Sequence, residues 1–353
     1  MKIFHCDHCQ GLVFFENVRC LSCGHELAYL PDVADLASLE PAGNGKWHAR
    51  NSLAQGHEYR LCQNYDQANV CNWAVTEPDG HAFCVSCRLT RVIPDLNVPG
   101  NKEGWYKLEV AKRRLVYGLL ALGLSVRSQE EDPQTGLAFE FLANTHAEKV
   151  RTGHNQGVIT VNVAEADDVL REKARNQMHE PYRTVLGHFR HETGHYYWDR
   201  LIRDSPRLEA CRQLFGDDRR DYGEALQRHY AQGASADWQE RFVSAYASSH
   251  PWEDWAETWA HFLHIMDTLE MAAACGLILN PARQDEPQLA ARDTQVETFE
   301  HKMEDWLALT YVLNNLNRGL GQPDSYPFVL SQTVVGKLKF VWETVQAAGA
   351  KVA

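Results

Sequence analysis

The chain has 353 residues, 44% of them hydrophobic and 10% aromatic, with a formal charge of −12, which is enough for two or three domains with a real core. The negative balance argues against a general nucleic-acid or anionic-membrane surface. The longest apolar candidate, Leu115 to Val126, is too short for a bilayer and follows Lys112, Arg113 and Arg114, so no membrane span is expected.

The opening residues, Met1-Lys2-Ile3-Phe4-His5-Cys6, run straight into a cysteine motif with no apolar leader, so no secretory signal is read. Eight of the ten cysteines precede residue 90, and six of those eight form CxxC pairs. Without an export signal this pattern reads as metal binding rather than disulfides, and cytoplasm is the expected location. The first set is Cys6-x2-Cys9-x10-Cys20-x2-Cys23, two knuckles around the apolar hairpin segment Leu12-Val13-Phe14-Phe15, the spacing of a zinc ribbon with four thiolates closing a tetrahedral site. The second set, Cys62-x8-Cys71-x12-Cys84-x2-Cys87, is less regular but again supplies four thiols, so one structural zinc per set is the simplest assignment. His5, His8, His25 and His81 are alternative donors, but the sulfur count is already complete.

Residues 1–95 look too loop-rich to bury a core of their own, which predicts that the metals hold them folded. They contain 7 Lys/Arg against 11 Asp/Glu, and each zinc–tetrathiolate centre adds about two negative charges. A structural or protein-binding module is favoured over a nucleic-acid finger. Pro94 through Gly104 reads as the linker into a second domain, 100–353. Trp105 to Leu124 is helical, with Tyr106, Leu108, Val110, Leu115, Leu119 and Leu122 in register. Residues 138–142 and 158–163 read as strands. Helices are then expected over 165–178, 182–203, 222–230, 236–247, 252–275, 295–318 and 334–348. A small sheet followed by a helical half is α+β architecture.

His191-Glu192-Thr193-Gly194-His195 lies inside the second of these helices. Side chains at i and i+4 share one face, so His191 and His195 can present ring nitrogens to one metal, with Glu192 placed to take a proton from a water that the metal activates. Gly194 weakens an ordinary helix and signals close approach of backbone or substrate. With 17 histidines in the chain the motif alone could be accidental; a second constellation, Glu253-Asp254-Trp255-Ala256-Glu257-Thr258-Trp259-Ala260-His261, lifts it. A catalytic zinc needs three protein ligands and an open position. Glu253 and Glu257 stand one turn apart, so either could be the third ligand while the other orients an imidazole. Trp252, Trp255, Trp259 and Phe262 around them argue against a solvated face. Asp199, at i+4 from His195, is either a further partner of a ligand or a plain surface charge. His188 reads as a packed or partly exposed histidine rather than a fourth ligand, and His261 and His264 as structural. His154, ahead of the 158–163 strand, is a candidate for contact with substrate by analogy alone. Cys211 and Cys275 are isolated thiols.

The HExxH followed by ExxAE resembles the gluzincin form of the zincin metallopeptidases. The chain is most similar to bacterial zinc-binding metallopeptidases with an N-terminal double zinc ribbon, through residues 182–192, 250–260 and Tyr326-Pro327-Phe328-Val329-Leu330, and the likeness spans nearly the whole chain. It implies a zincin-like, mostly helical peptidase domain with a small sheet behind a zinc-ribbon domain. A more distant similarity, to anthrax lethal-factor-like peptidases, implies Glu253 as the zinc ligand and Tyr246 as hydroxyl donor to the tetrahedral intermediate. The long 195–246 connection and the ribbons depart from that second pattern.

The expected activity is hydrolysis of peptide bonds in a peptide or protein substrate. It would use one catalytic zinc on His191, His195 and Glu253, and two structural zinc ions. A non-catalytic zinc scaffold is the alternative, disfavoured because a scaffold has no use for Glu192. A protease-regulator with a nucleic-acid-binding ribbon is disfavoured by the acidic charge of residues 1–95.

Overall fold

The computed structural model describes residues 2–145, 149–178, 184–283, 285–289 and 298–350. These fall into two compact units, one of Lys2–Tyr117 with Val126–Asp168, the other of Gly118–Ser125 with Val169–Ala353.

The first unit is built of sheets. β1 (Phe4–His5) and β2 (Leu12–Val13) form the antiparallel hairpin of the first knuckle pair. A five-stranded antiparallel meander follows, β3 (Glu26–Leu30), β4 (Asp35–Gly43), β5 (Lys46–Ala49), β6 (Glu58–Leu61) and β7 (Ala74–Thr76), with the one-turn helix α1 (Gln63–Asp66) before β7. This corrects the expectation that the region buries no core of its own. Phe15, Tyr29 and Trp73 pack at 5.2 and 4.6 Å between ring centroids, and Phe15 lies 5.5 Å from Tyr117. Such aromatic burial stabilises the unit. The sheet escapes a period-2 search because Leu27, Ala28, Tyr29 and Leu30 are all buried, as are Leu36, Ala37, Ser38 and Leu39. A strand covered on both faces loses its alternation.

Beyond the ribbons, β8 (Thr90–Val92) pairs in parallel with β9 (Ala138–Leu142), and β9 with β11 (Val158–Asn162); β10 (Gly153–Asn155) closes the edge in antiparallel. That pairing ties residues 90–92 to residues 138–162, which belong to the same compact unit. Helix α2 (Asn101–Ala121) already begins within the 94–104 stretch. Its Glu109 and Lys112 are both fully buried and ion-paired at 3.0 Å, and Thr90 Oγ1 donates to Glu109 at 2.7 Å.

The second unit is helical: α3 (Asp168–Met178), α4 (Val185–Leu201), α5 (Leu208–Phe215), α6 (Tyr222–Gln232), α7 (Pro251–Ala274), α8 (Phe299–Gly319) and α9 (Gln332–Gly349). Tyr182 and Arg183, expected at the start of the motif helix, and 295–297, expected to open α8, lie outside the described residues. Helix α5 was not anticipated; it turns only Cys211 and Phe215 fully inward. The helix expected over 236–247 is instead irregular, with single turns at Trp238–Glu240 and Tyr246–Ser248. Its backbone acceptors are taken by distant side chains: Ser331 Oγ donates to the Glu240 carbonyl at 2.9 Å and Lys337 Nζ to the Arg241 carbonyl at 2.7 Å. Among the described residues no helix is long and apolar enough to cross a membrane.

Candidate metal centre

Among the described residues, α4 and α7 share the most extensive helix–helix contact of the second unit. Trp255, Ala256 and Trp259 of α7 are buried, and the Trp255 indole donates to the Gly194 carbonyl at 2.9 Å. A Cβ on Gly194 would stand 2.8 Å from Ala256 Cα and 3.1 Å from the Ala256 carbonyl oxygen. The glycine inside the motif therefore serves the approach of the second helix's backbone. Thr184 caps α4, its hydroxyl accepting from Gly187 N at 3.0 Å, and His250 caps α7, accepting from Trp252 N at 3.1 Å with Pro251 next in line.

This packing places Glu253, in the first turn of α7, against the two histidines of α4. His191 Nε2 lies 3.1 Å from Glu253 Oε2, and His195 Nε2 lies 3.6 Å from Glu253 Oε1. Each of the three residues brings one ligand atom within 4.8 Å of the others, and all three are buried. Nitrogen and carboxylate donors held at about 2.0–2.2 Å by a tetrahedral ion sit about 3.3–3.5 Å apart. The two spacings run to the two oxygens of one carboxylate and lie near that edge, and two imidazoles with a carboxylate are donors zinc takes, so the donor set fits zinc.

Glu257, one turn on, contacts His191 at its other ring nitrogen. His191 Nδ1 meets its Oε1 at 2.7 Å, and Ser244 Oγ donates to its Oε2 at 2.6 Å. A carboxylate on the far nitrogen fixes the ring so that Nε2 faces the metal position. Burial would lower the His191 pKa, but the hydrogen bonds from Glu253 and Glu257 raise it well above the ordinary value. Burial would likewise raise Glu253, yet His195 and His191 hold it well below the carboxylate range. Such a set carries a proton that a cation must displace.

Glu192 is buried beside the cluster, outside the group of ligand atoms, with His188 Nε2 3.2 Å from its Oε1. Desolvation opposes its ionisation, but the His188 hydrogen bond and the nearby imidazoles keep its pKa lowered. The Tyr246 ring lies 6.0 Å from that of His191, and burial pushes its hydroxyl pKa far up, so it remains a proton donor. Asp199 ion-pairs at 2.5 Å with Arg203, which lies just past the end of α4.

Three neighbours of the site carry no motif. Tyr222 OH donates to Glu253 Oε1 at 2.7 Å, Ser244 holds Glu257, and the Trp252 ring lies 3.9 Å from that of His195. His188 joins them as the partner of Glu192 rather than as a merely packed side chain. Its i,i+4 spacing to Glu192 was the only signal in the sequence.

The two cysteine sets also converge. Cys6 and Cys23 stand 3.7 Å apart at sulfur, Cys9 and Cys20 3.6 Å, and Cys71 and Cys84 3.8 Å. Thiolates at about 2.3 Å from a tetrahedral zinc are about 3.8 Å apart. The Trp73, Cys84 and Cys87 amides each point at a cysteine sulfur at 3.4 Å, on Cys71, Cys62 and Cys84 respectively. All ten cysteines are free of disulfides.

Residues 3–98 match a zinc-ribbon domain family, and residues 101–344 match the family described as "Putative zinc-binding metallo-peptidase". The chain is 44% identical over 347 residues to uncharacterized proteins of Mycobacterium bovis and of two Mycobacterium tuberculosis strains, CDC 1551 and H37Rv, covering 98% of this chain and 95% of each relative. No solved structure matches it. On the family match, together with the full-length likeness, the chain belongs to this zinc-binding metallo-peptidase family, with a zinc-ribbon domain at its N-terminus.

Proposed function

We propose that the protein is a zinc-dependent peptidase that hydrolyses peptide bonds in a peptide or protein substrate, with residues 100–353 as its working domain. The observation that carries this reading is the convergence of His191, His195 and Glu253 on one point, with a buried, ionised Glu192 alongside that is not among the ligand atoms. A zinc ion held by those three residues supplies Lewis acidity toward a carbonyl and brings the pKa of a water down to about 7.

The chain's own groups do the rest. Glu192 accepts the proton of the attacking water, aligned by His188, and hands it to the leaving amine. Tyr246, protonated throughout, donates to the oxyanion. Glu257 and Ser244 hold His191 in one tautomer, and Tyr222 holds the Glu253 carboxylate. The two cysteine sets take one structural zinc each, for three ions in all. The ribbon serves as a structural or partner-binding module, in the reducing cytoplasm where its thiols stay free.

Digestion of a peptide library by wild type and Glu192→Gln, read by mass spectrometry, tests this. Wild type is expected to cut and the variant to lose activity by about a hundredfold or more while keeping its zinc and fold. Equal cleavage by both proteins removes Glu192 from its role.

A further inference from the structure

The two cysteine sites of the ribbon differ in their surroundings. Cys62, Cys71, Cys84 and Cys87 are all buried. Beside them sits Arg113, 2% exposed, which donates to the Val70 carbonyl at 2.5 Å. A buried guanidinium next to four thiolates offsets one of the roughly two negative charges that a divalent ion leaves uncompensated, with the Glu109 carboxylate 3.9 Å from the Cys87 sulfur on the same side.

At the first site the neighbouring guanidinium is that of Arg19, which is exposed to solvent and donates to the Gly24 carbonyl. Cys9 of this site is exposed and its Cys23 half-buried. On that open side two imidazoles lie face to face, His8 on His25, at 3.7 Å between centroids and 27° between planes. One ring nitrogen of each and the Cys23 sulfur lie within 4.8 Å of one another. His25 Nδ1 is buried and makes no hydrogen bond, although His25 as a whole is partly exposed. A buried ring nitrogen without a partner is costly unless something fills it. The backbone around both rings is fixed: Asp7 Oδ1 accepts from Ser38 N at 2.8 Å, and Arg19 Nε donates to the Gly24 carbonyl at 2.9 Å. Gly24 takes φ +78°, which turns the chain so that His25 follows Cys23 directly around the knuckle.

We propose that His8, His25 and the Cys23 thiolate form a second metal position on the outer face of the first ribbon site. It shares Cys23 with the four-cysteine set and takes a divalent ion of zinc-like chemistry. Imidazole and thiolate are the donors such ions prefer, and a thiolate sulfur has lone pairs for two ions. A second divalent cation offsets the two negative charges that four thiolates and one ion leave. Rotation of the partly exposed rings closes the donors to the edge of about 3.3–3.8 Å that a tetrahedral ion needs. Because the sulfur is common to both positions, an ion on the outer face reaches the inner one by exchange of ligands at Cys23. The proposal is independent of the peptidase reading.

The test is the zinc content of the full chain after equilibrium dialysis against buffered free zinc, for wild type, His8→Ala and His8→Ala/His25→Ala. Wild type is expected to hold one more zinc per chain than the double variant, with weaker affinity than the cysteine sites, and His8→Ala to lose that equivalent already at higher free zinc than wild type does. Loading wild type with NMR-active cadmium should give two resonances coupled through the shared sulfur, reduced to one uncoupled signal for this site in the double variant. Equal metal content in wild type and double variant overturns the outer position, and the same count would follow if a histidine merely replaced a thiol within one site. Two uncoupled cadmium signals overturn the sharing of Cys23. Since His8 is exposed, its variant reports on the site even if the double variant is unstable.

Discussion

Glu257 accepts two hydrogen bonds at once, 2.7 Å from His191 Nδ1 and 2.6 Å from Ser244 Oγ, and this makes Glu257→Gln an informative perturbation. The amide keeps the shape and can still accept from His191, while its NH2 turns to the Ser244 hydroxyl, which can accept in return. What is lost is the charge on the acceptor. A charge-assisted hydrogen bond contributes about 1.5–3 kcal/mol against about 0.5–1.5 for a neutral one, so the difference is about 1.4 kcal/mol, or about tenfold in zinc affinity. Glu257→Ala removes both acceptors and frees the His191 ring, moving toward the hundredfold end of the range of about 10–100-fold for such partners. Glu253→Gln removes a ligand outright and should weaken zinc binding more than either. The assay is competition for zinc against chelators of graded strength, following the first ion to leave, with circular dichroism as the check on fold. Wild-type affinity in Glu257→Ala would refute the orienting role. A larger loss in Glu257→Ala than in Glu253→Gln would show that the two glutamates have exchanged places.

Two further expectations concern stability. Lys337 Nζ lies 2.6 Å from Asp254 Oδ2, both fully or nearly fully buried, so Lys337→Met should destabilise the fold by about 3–5 kcal/mol in urea unfolding. Burial pushes Asp254 up to about 7 against the pull of Lys337, so the loss should shrink at acidic pH, where the stranded carboxyl protonates; a pH-independent loss would contradict this. His261 is buried with its Nδ1 2.6 Å from Tyr326 OH, and desolvation lowers its pKa to about 4 from 6.5. The unfolded chain binds that proton more readily, so stability is complete above about pH 6.5 and falls by about 3 kcal/mol as the pH drops toward 4. His261→Gln should flatten this part of the stability–pH curve, and an unchanged slope would refute the assignment.

The residues of the site were legible wherever one helix decides geometry. The i,i+4 histidines and the glutamate pair one turn apart needed only the 3.6-residue period, and the two roles open to Glu253 and Glu257 divide as the contacts divide them. Tyr222 and Ser244 were not legible, because they reach the carboxylates from other segments of the chain. Gly194 stood out in sequence, but its cause, the backbone of Ala256, lies 62 positions away. In the ribbon, the cysteine spacing located both sites while the meander went unread, since its strands are buried on two faces. The 236–247 segment has local helical character, and contacts from Ser331 and Lys337 override it.

The claim beneath the whole account is that three side chains from α4 and α7 hold one zinc ion and leave it a free position. Anomalous diffraction at the zinc edge from crystals of the full-length protein tests it most directly. The account predicts a peak about 2.0–2.2 Å from His191 Nε2, His195 Nε2 and one Glu253 oxygen, with Glu192 outside the coordination sphere. A peak capped by a fourth side chain, or none between these residues in zinc-replete protein, would contradict it.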